Sequence, residues 1–443
     1  MDERTTNLWD KIRQQFDTGP YPRIPLEKSP KNDFISLYIH SLVNPYYLRN
    51  QKVIEAEGKL ILDAGCGTGY KSLVLAEANP RAKIIGVDLS EKSVELARKR
   101  LQYHGFDNTE FHVISIEDLP SLGLSFDYIN CDEVLYLFPE PAIGLQAMKS
   151  VLKPDGIIRA NLHSSLQRRY YYRAQEVFKL MGLMDENPEE MEIELVRDIM
   201  NSLKDQVELK AITWRPELAT DTERILMNYL FQGDKGFTIP EMFSALRIAE
   251  LEFISMVNWR QWNLMALFKE PENLPAFLAM SLPETSIEEQ LQLFELLHPT
   301  HRLLDFWCGH PNQGQSFIPV SEWTLSDWQT AQVYLVPQLK TPEIKQELVR
   351  CVTQLKQFEI SQKLAISDKP VSVDSTIAAC LLPLWDEPQS MKSLVEHWQK
   401  LRPVHPVTLE PTAEAEAWEL VISALATLES LGYVLLERCP EML

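Results

Sequence analysis

The chain has 443 residues, with 43 Lys and Arg against 63 Asp and Glu, a net charge of −20. That acidity disfavours nucleic-acid backbones and anionic membrane surfaces, which need clustered cations. The length suits about two or three domains, and a hydrophobic content of 45% is ample for real cores.

Six cysteines are scattered with no CxxC pair, the pattern of free thiols in a reducing cytosol. The opening residues MDERTTNLWDKIRQQF lack the apolar run of a signal peptide. No uncharged apolar run approaches the roughly 20 residues of a membrane span. The expectation is a soluble, cytoplasmic protein that does not enter a membrane.

Residues 1–57 have helical texture broken by DTGPYPRIPLEKSPKND, whose prolines remove donors and restrict their neighbours. From residue 59 the period changes. KLILDAG and AKIIGVDL read as strands. GYKSLVLAEANP reads as a helix ended at Asn79–Pro80. SEKSVELARKRLQYHG is a helix with Ser90 at its N-cap and Gly105 just past its end. FHVISI, FDYINC and GIIRANLH are further strands, the last preceded by the helix PAIGLQAMKSVLKPDG. This alternation predicts an α/β fold with a doubly wound, mostly parallel, Rossmann-like sheet.

Residues 164–250 carry helical spacing and read as an insertion, after which LEFISMVNW returns to the sheet. Residues 272–443 show short helical patterns divided by prolines and end in a helix, Gly432 and a short strand. Endings of that kind occur in winged-helix-like modules. The expected division is therefore an N-terminal helical arm over 1–57, an α/β domain over 58–270 and a smaller, mainly α domain over 272–443.

The chemistry concentrates in Leu62-Asp63-Ala64-Gly65-Cys66-Gly67-Thr68-Gly69-Tyr70, between a predicted strand and a predicted helix. Gly65 and Gly67 permit a tight turn and close approach of a ligand. Asp88 ends the next strand, 88 − 69 = 19 residues after Gly69, where a carboxylate can accept from a ribose diol. A dinucleotide site would show GxGxxG with pyrophosphate at the helix N-terminus. Here the spacing is GxGxG, and Asp63 stands two residues before it. A carboxylate in that place suits a cationic amino-acid ligand and opposes a pyrophosphate.

This loop resembles the D/E-x-G-x-G-x-G motif of the class I S-adenosylmethionine-dependent methyltransferases. The resemblance implies S-adenosyl-L-methionine as cofactor. Asp63, Gly65, Cys66, Gly67, Thr68 and Gly69 would surround its amino-acid part, and Asp88 and Leu89 its ribose. HVISIEDLP (112–120) is similar to the third motif, with Ser115 in place of the usual Asp, so Ile116 and Glu117 are expected at the adenine edge. FDYINCDEVL (126–135) resembles the fourth strand and its tip. Cys131 and Asp132 are expected to border the cofactor, and Glu133 and Tyr136 to face the acceptor.

QQFDTGPYPR (14–23) resembles the QYEENPYPRW segment of a group of bacterial methyltransferases. SLQRR (165–169) and FTIPE (237–241) are similar to later segments of the same group. Methyl transfer needs two aligned reactants and exclusion of water, so the arm is expected to form a lid, with Tyr21 beside the acceptor.

The (D/N/S)-PP-(Y/F) tetrad for planar amino groups is missing from the fourth-strand tip. Asn44-Pro45-Tyr46-Tyr47 lies before the glycine loop instead. A Pro-Cys nucleophile is also missing. His163, ending the fifth strand, is a candidate base, and Arg169 is the candidate for an acidic group on the acceptor. His298, His301, Cys308 and His310 do not match ordinary zinc spacings, so no metal is expected. The acceptor is expected to be a small molecule or a protein side chain. The alternative is a non-catalytic sensor or scaffold that binds the cofactor and uses its C-terminal domain for interactions. A nicotinamide dehydrogenase is disfavoured by the Asp63–GxGxG pattern.

Overall fold

The computed structural model describes residues 22–315, 317–367 and 369–439. Their contacts define two units. Residues 22–28, 58–76 and 81–313 form the first, and residues 29–57, 77–80 and 314–439 form the second.

The first unit is built on seven strands: β1 Leu60–Ala64, β2 Lys83–Asp88, β3 Thr109–Val113, β4 Phe126–Cys131, β5 Leu152–His163, β6 Glu252–Met256 and β7 Leu303–Gly309. They lie in the order β3-β2-β1-β4-β5-β7-β6. The first five run parallel, while β7 is antiparallel to both neighbours. The central strands are apolar and buried on both faces, as a sheet covered on two sides requires. Strand order reverses between β1 and β4, so a crevice opens at their C-terminal ends, where such sheets take ligands.

The helix Glu91–Tyr103 begins where Ser90 Oγ accepts the Ser93 N–H at 3.2 Å and ends before Gly105, whose φ is +81°. The helices Arg169–Leu180, Glu190–Ser202 and Thr222–Tyr229 enclose a core of their own around Phe178, Val196, Ile225 and Tyr229.

Two expectations change here. Residues 303–309, assigned by sequence to the C-terminal domain, supply β7 at the centre of one half of the sheet. Phe306 and Trp307 follow the pattern of a strand buried on both faces, and β6 reaches the sheet only through β7. The Lys153–Gly156 segment, read as the end of the helical stretch before the fifth strand, lies inside β5. The register jumps from Phe126↔Leu152 to Tyr128↔Ile157, so those residues bulge from the ladder.

The second unit holds a three-stranded antiparallel sheet of β8 Ala331–Leu335, β9 Gln389–Ser390 and β10 Val434–Arg438, in the order β10-β8-β9. The helices Pro342–Thr353, Ser375–Leu381, Met391–Leu401 and Glu414–Ser430 pack with it around Val333, Leu348, Leu394, Val421 and Tyr433. The helices Phe34–His40 and Val43–Asn50 belong to this unit rather than to a separate arm. Tyr47 Oη donates to Glu429 Oε1 at 2.8 Å and accepts the Leu436 N–H at 3.2 Å. Among the described residues no helix is long and apolar enough to cross a membrane.

Candidate active site

The glycine loop joins β1 to the helix Tyr70–Ala78. Gly65, Gly67 and Gly69 all have positive φ, at 81°, 50° and 80°. A Cβ on Gly65 would lie 2.4 Å from Val134 Cγ2, and one on Gly69 would lie 2.6 Å from Ala97 Cα. The loop therefore needs glycine both for its conformation and for close approach to the β4 tip and the helix Glu91–Tyr103. Its turn is fixed by Asp88 at the end of β2. Oδ2 accepts the Gly67 N–H and Oδ1 the Ser90 N–H, both at 2.9 Å. Leu89 follows it, exposed.

Asp63 is buried at the end of β1. Oδ2 accepts from Ser72 Oγ at 2.6 Å and Oδ1 from Asn130 Nδ2 at 2.9 Å. Burial raises its pKa to about 6, against the lowering by those two hydrogen bonds. Cys66 and Cys131 are buried too, and burial pushes both thiols up, so neither is an activated nucleophile. Thr68 Oγ1 donates to the Pro22 carbonyl at 2.8 Å. The Arg100 side chain donates to the carbonyls of Thr68, Ile24 and Pro25 at 2.7–2.9 Å. The described end of the proline-rich segment is thus tied to the glycine loop. Tyr21 lies outside the described residues.

Ile116 and Glu117 open the 3-10 helix Ile116–Leu122, with Ile116 buried and Glu117 exposed. Ser115, at the position where the motif usually has Asp, caps that helix by accepting the Glu117 N–H at 3.2 Å. At the β4 tip Asp132 accepts from Asn161 Nδ2 at 2.5 Å and pairs with Lys71 Nζ at 2.7 Å.

Beyond Asp132 the chain places Glu133 at φ 61°, its N–H donating to Asn161 Oδ1 at 2.8 Å. Glu133 Oε2 lies 3.2 Å from His163 Nε2 and accepts from Arg302 Nη1 at 3.1 Å. Arg302 Nη2 also donates to Glu133 Oε1. The other ring nitrogen, Nδ1, lies 2.7 Å from Asp234 Oδ1. Asp234 Oδ2 accepts from Arg168 Nη2 at 2.7 Å and Gln175 Nε2 at 2.9 Å. Burial works against both carboxylates, but His163 with Arg302 holds Glu133 low, and His163 with Arg168 holds Asp234 at about 2.

Glu133 and His163 are therefore brought together, and Tyr136 and Arg169 have partners of their own. Tyr136 is buried and stacks on the His163 ring at 3.9 Å and 19°, so it backs the imidazole. Arg169 is exposed and lies over the Tyr170 ring at 4.7 Å. The buried neighbour Arg168 turns inward to Asp234 instead, because the helix Arg169–Leu180 starts there and directs the two side chains apart.

Sequence reasoning missed Asp234, Arg302 and Arg168. One signal was available for Asp234, in Gly233-Asp234-Lys235-Gly236. A Cβ on Gly236 would lie 2.5 Å from Ser165 Cα, so that glycine lets the loop reach β5. Among the described residues no cluster of metal-ligating groups occurs. His301 Nε2 faces the Gln261 carbonyl at 3.1 Å and His310 Nε2 the Leu152 carbonyl at 3.2 Å.

The glycine loop thus meets Asp88 and the tip of β4 at the C-terminal ends of the strands, where open α/β sheets of this order take their ligands. Comparison with known proteins agrees. A family described as "Methyltransferase domain" matches residues 55–224. The ubiquinone biosynthesis O-methyltransferase of Thiobacillus denitrificans is 30% identical over 184 residues, 39% of this chain and 77% of that protein. The corresponding enzyme of Actinobacillus pleuropneumoniae serotype 5b is 35% identical over 124 residues, and the match spans only 52% of its length. Among solved structures, that of PKMT2 from Rickettsia typhi shares the fold, with a TM-score of 0.59 at 18% identity over 90% of this chain and 75% of that one. The chain belongs to the class I S-adenosylmethionine-dependent methyltransferases.

Proposed function

We propose that the first unit transfers a methyl group from S-adenosylmethionine to a small-molecule or protein acceptor that enters at the C-terminal ends of β4 and β5. The cofactor supplies an electrophilic methyl group on a sulfonium. The residues assigned to hold it are Asp63, Gly65, Cys66, Gly67, Thr68 and Gly69 in and around the loop, Asp88 and Leu89 at the end of β2, Ile116 and Glu117 beyond β3, and Cys131 and Asp132 at the β4 tip. Their support is the glycine cradle itself. Gly65 lies against Val134, and Gly67 is held by Asp88.

The acceptor side is assigned to Glu133 and His163, with Tyr136 supporting the ring. The observation that carries this reading is the contact of the β4 tip with the loop. Val134 lies against Gly65, which supports assigning Glu133, one residue earlier, to the side of the acceptor. The bonds of Arg100 and Thr68 to 22–25 support a role for the proline-rich segment in covering that place and excluding water. The second unit, with its order of helix Ser375–Leu381, β9, helix Met391–Leu401, helix Glu414–Ser430 and β10, is read as a winged-helix-like accessory domain.

Titration calorimetry with S-adenosylmethionine, AdoHcy and, as control, NAD tests the cofactor. Micromolar binding of the first two without NAD is expected, and binding of NAD alone would overturn the reading. Incubation of the protein with methyl-labelled cofactor and a bacterial extract, resolved into small molecules and protein, then tests the transfer and the acceptor class.

A further inference from the structure

His163 is buried at the β5 end, 2% exposed, and the charges around it are arranged unevenly. Asp234 faces Nδ1 and, as a carboxylate, only accepts. Arg302 Nη1 faces Nε2 at 3.2 Å and only donates. Both neighbours are satisfied by one neutral form of the ring, with the proton on Nδ1 and the lone pair on Nε2. Glu133 Oε2 stands at the same 3.2 Å from Nε2; it already accepts from Arg302 Nη1 and can accept from Nε2 as well only after that nitrogen gains a proton. The imidazolium would then lie between two carboxylates. Arg302 is the exposed member of the group, its side chain 45% accessible against 23% for Glu133.

Resting on the methyltransferase reading, we infer that Asp234, supplied by the helical insertion, is a positioning residue that fixes the His163 tautomer so that Nε2 takes a proton from the acceptor, and that Arg302 caps Nε2 until the acceptor displaces it. The step balances. As the acceptor oxygen or nitrogen forms its bond to the methyl carbon, the carbon–sulfur pair leaves on sulfur and the acceptor's proton passes to Nε2. Glu133 and Asp234 then hold the charged ring. The acceptor atom is accordingly a protic one, a hydroxyl or an amine, and not a carboxylate, which arrives without a proton.

Asp234→Asn tests this without changing shape. Arg168 and Gln175 both donate to Oδ2, so the amide oxygen of Asn takes that side and its NH2 turns to Nδ1. The imidazole must then place its proton on Nε2, as happens when the carboxylate of a Ser-His-Asp triad is replaced by an amide. Long-range 1H–15N correlation of the full-length protein at pH 8 reads the tautomer, with the His163 signal identified by its loss in His163→Gln. The wild-type ring should carry its proton on Nδ1 and the Asp234→Asn ring on Nε2. In the variant, AdoHcy affinity should stay within about twofold, and labelled-methyl transfer into the extract product should fall roughly 100-fold. A proton on Nε2 in the wild type, no change of tautomer in the variant, or undiminished transfer overturns the inference. Failure of the wild type to bind AdoHcy overturns the methyltransferase reading instead, and the tautomer measurement decides the positioning role by itself.

Discussion

Asp63 shows how one residue type serves two demands. It is the acid that distinguishes this loop from a pyrophosphate site, and it is also buried among Ser72 and Asn130. Burial raises its folded value to about 6 from an ordinary 3.8. The sign follows: the folded state binds the proton more tightly than the unfolded chain, so the contribution to stability is full below about pH 4 and is lost as pH rises through 6. A rise of that size corresponds to about 3 kcal/mol. Asp63→Asn removes the charge; its amide oxygen can still accept from Asn130 Nδ2, and its NH2 can donate to the Ser72 hydroxyl, which then accepts. Its stability relative to wild type should therefore rise by about that amount between pH 4 and pH 7.5. Denaturation of both proteins at the two pH values checks this, and a difference independent of pH would show that Asp63 does not titrate in that window.

Among elements, β5 explains most of what binds the site together. Arg159, Asn161 and His163 alternate along it, so all three lie on one face of the strand. Arg159 donates to Asp305 Oδ1 and Oδ2 at 3.1 and 2.6 Å and to Asn130 Oδ1 at 2.9 Å. Asn130 in turn donates to Asp63. A buried ion pair on β5 and β7 thus continues into the cofactor loop. Breaking such a pair leaves an unpaired buried charge, at about 3–5 kcal/mol, whereas apolar replacement of both partners is often near neutral. Arg159→Leu should be destabilised by that amount, and Arg159→Leu with Asp305→Leu should recover most of it. A double-mutant cycle by urea unfolding measures the difference; an additive result would mean that the two charges are not coupled. The polar alternation R-A-N-L-H was legible in the sequence. Its partner strand was not, because a short run such as Leu303–Gly309, apolar but for Asp305, reads as core without showing which sheet it joins.

At the scale of the molecule, the chain leaves and re-enters its units. Residues 29–57 pack with 314–439, and the single hydroxyl of Tyr47 is bonded to both Glu429 and the backbone of Leu436. Burial, followed by the nearby Glu429 carboxylate, keeps that hydroxyl protonated by raising its pKa. Tyr47→Phe leaves the Leu436 N–H and the Glu429 carboxylate without that partner. The expected cost is about 1–3 kcal/mol, read as a lower melting temperature, with AdoHcy affinity retained because the loop lies in the other unit. A variant as stable as wild type would show that water replaces the hydroxyl. A contiguous reading of 1–57 as one arm and 272–443 as one domain missed this division, since local composition carries no record of which distant segment a helix packs against.

Local sequence determined the loop, the strand–helix rhythm around it and the cofactor class. Those depend on backbone conformations that glycine adopts most readily and on a carboxylate at a fixed distance along one βαβ unit. Only the tertiary structure decided which arginine turns inward, that the loop at Asp234 reaches His163, and that β7 closes the sheet. Each of these joins residues roughly 70–150 positions apart, and such pairs are selected by packing and charge satisfaction in the folded chain rather than by spacing along it.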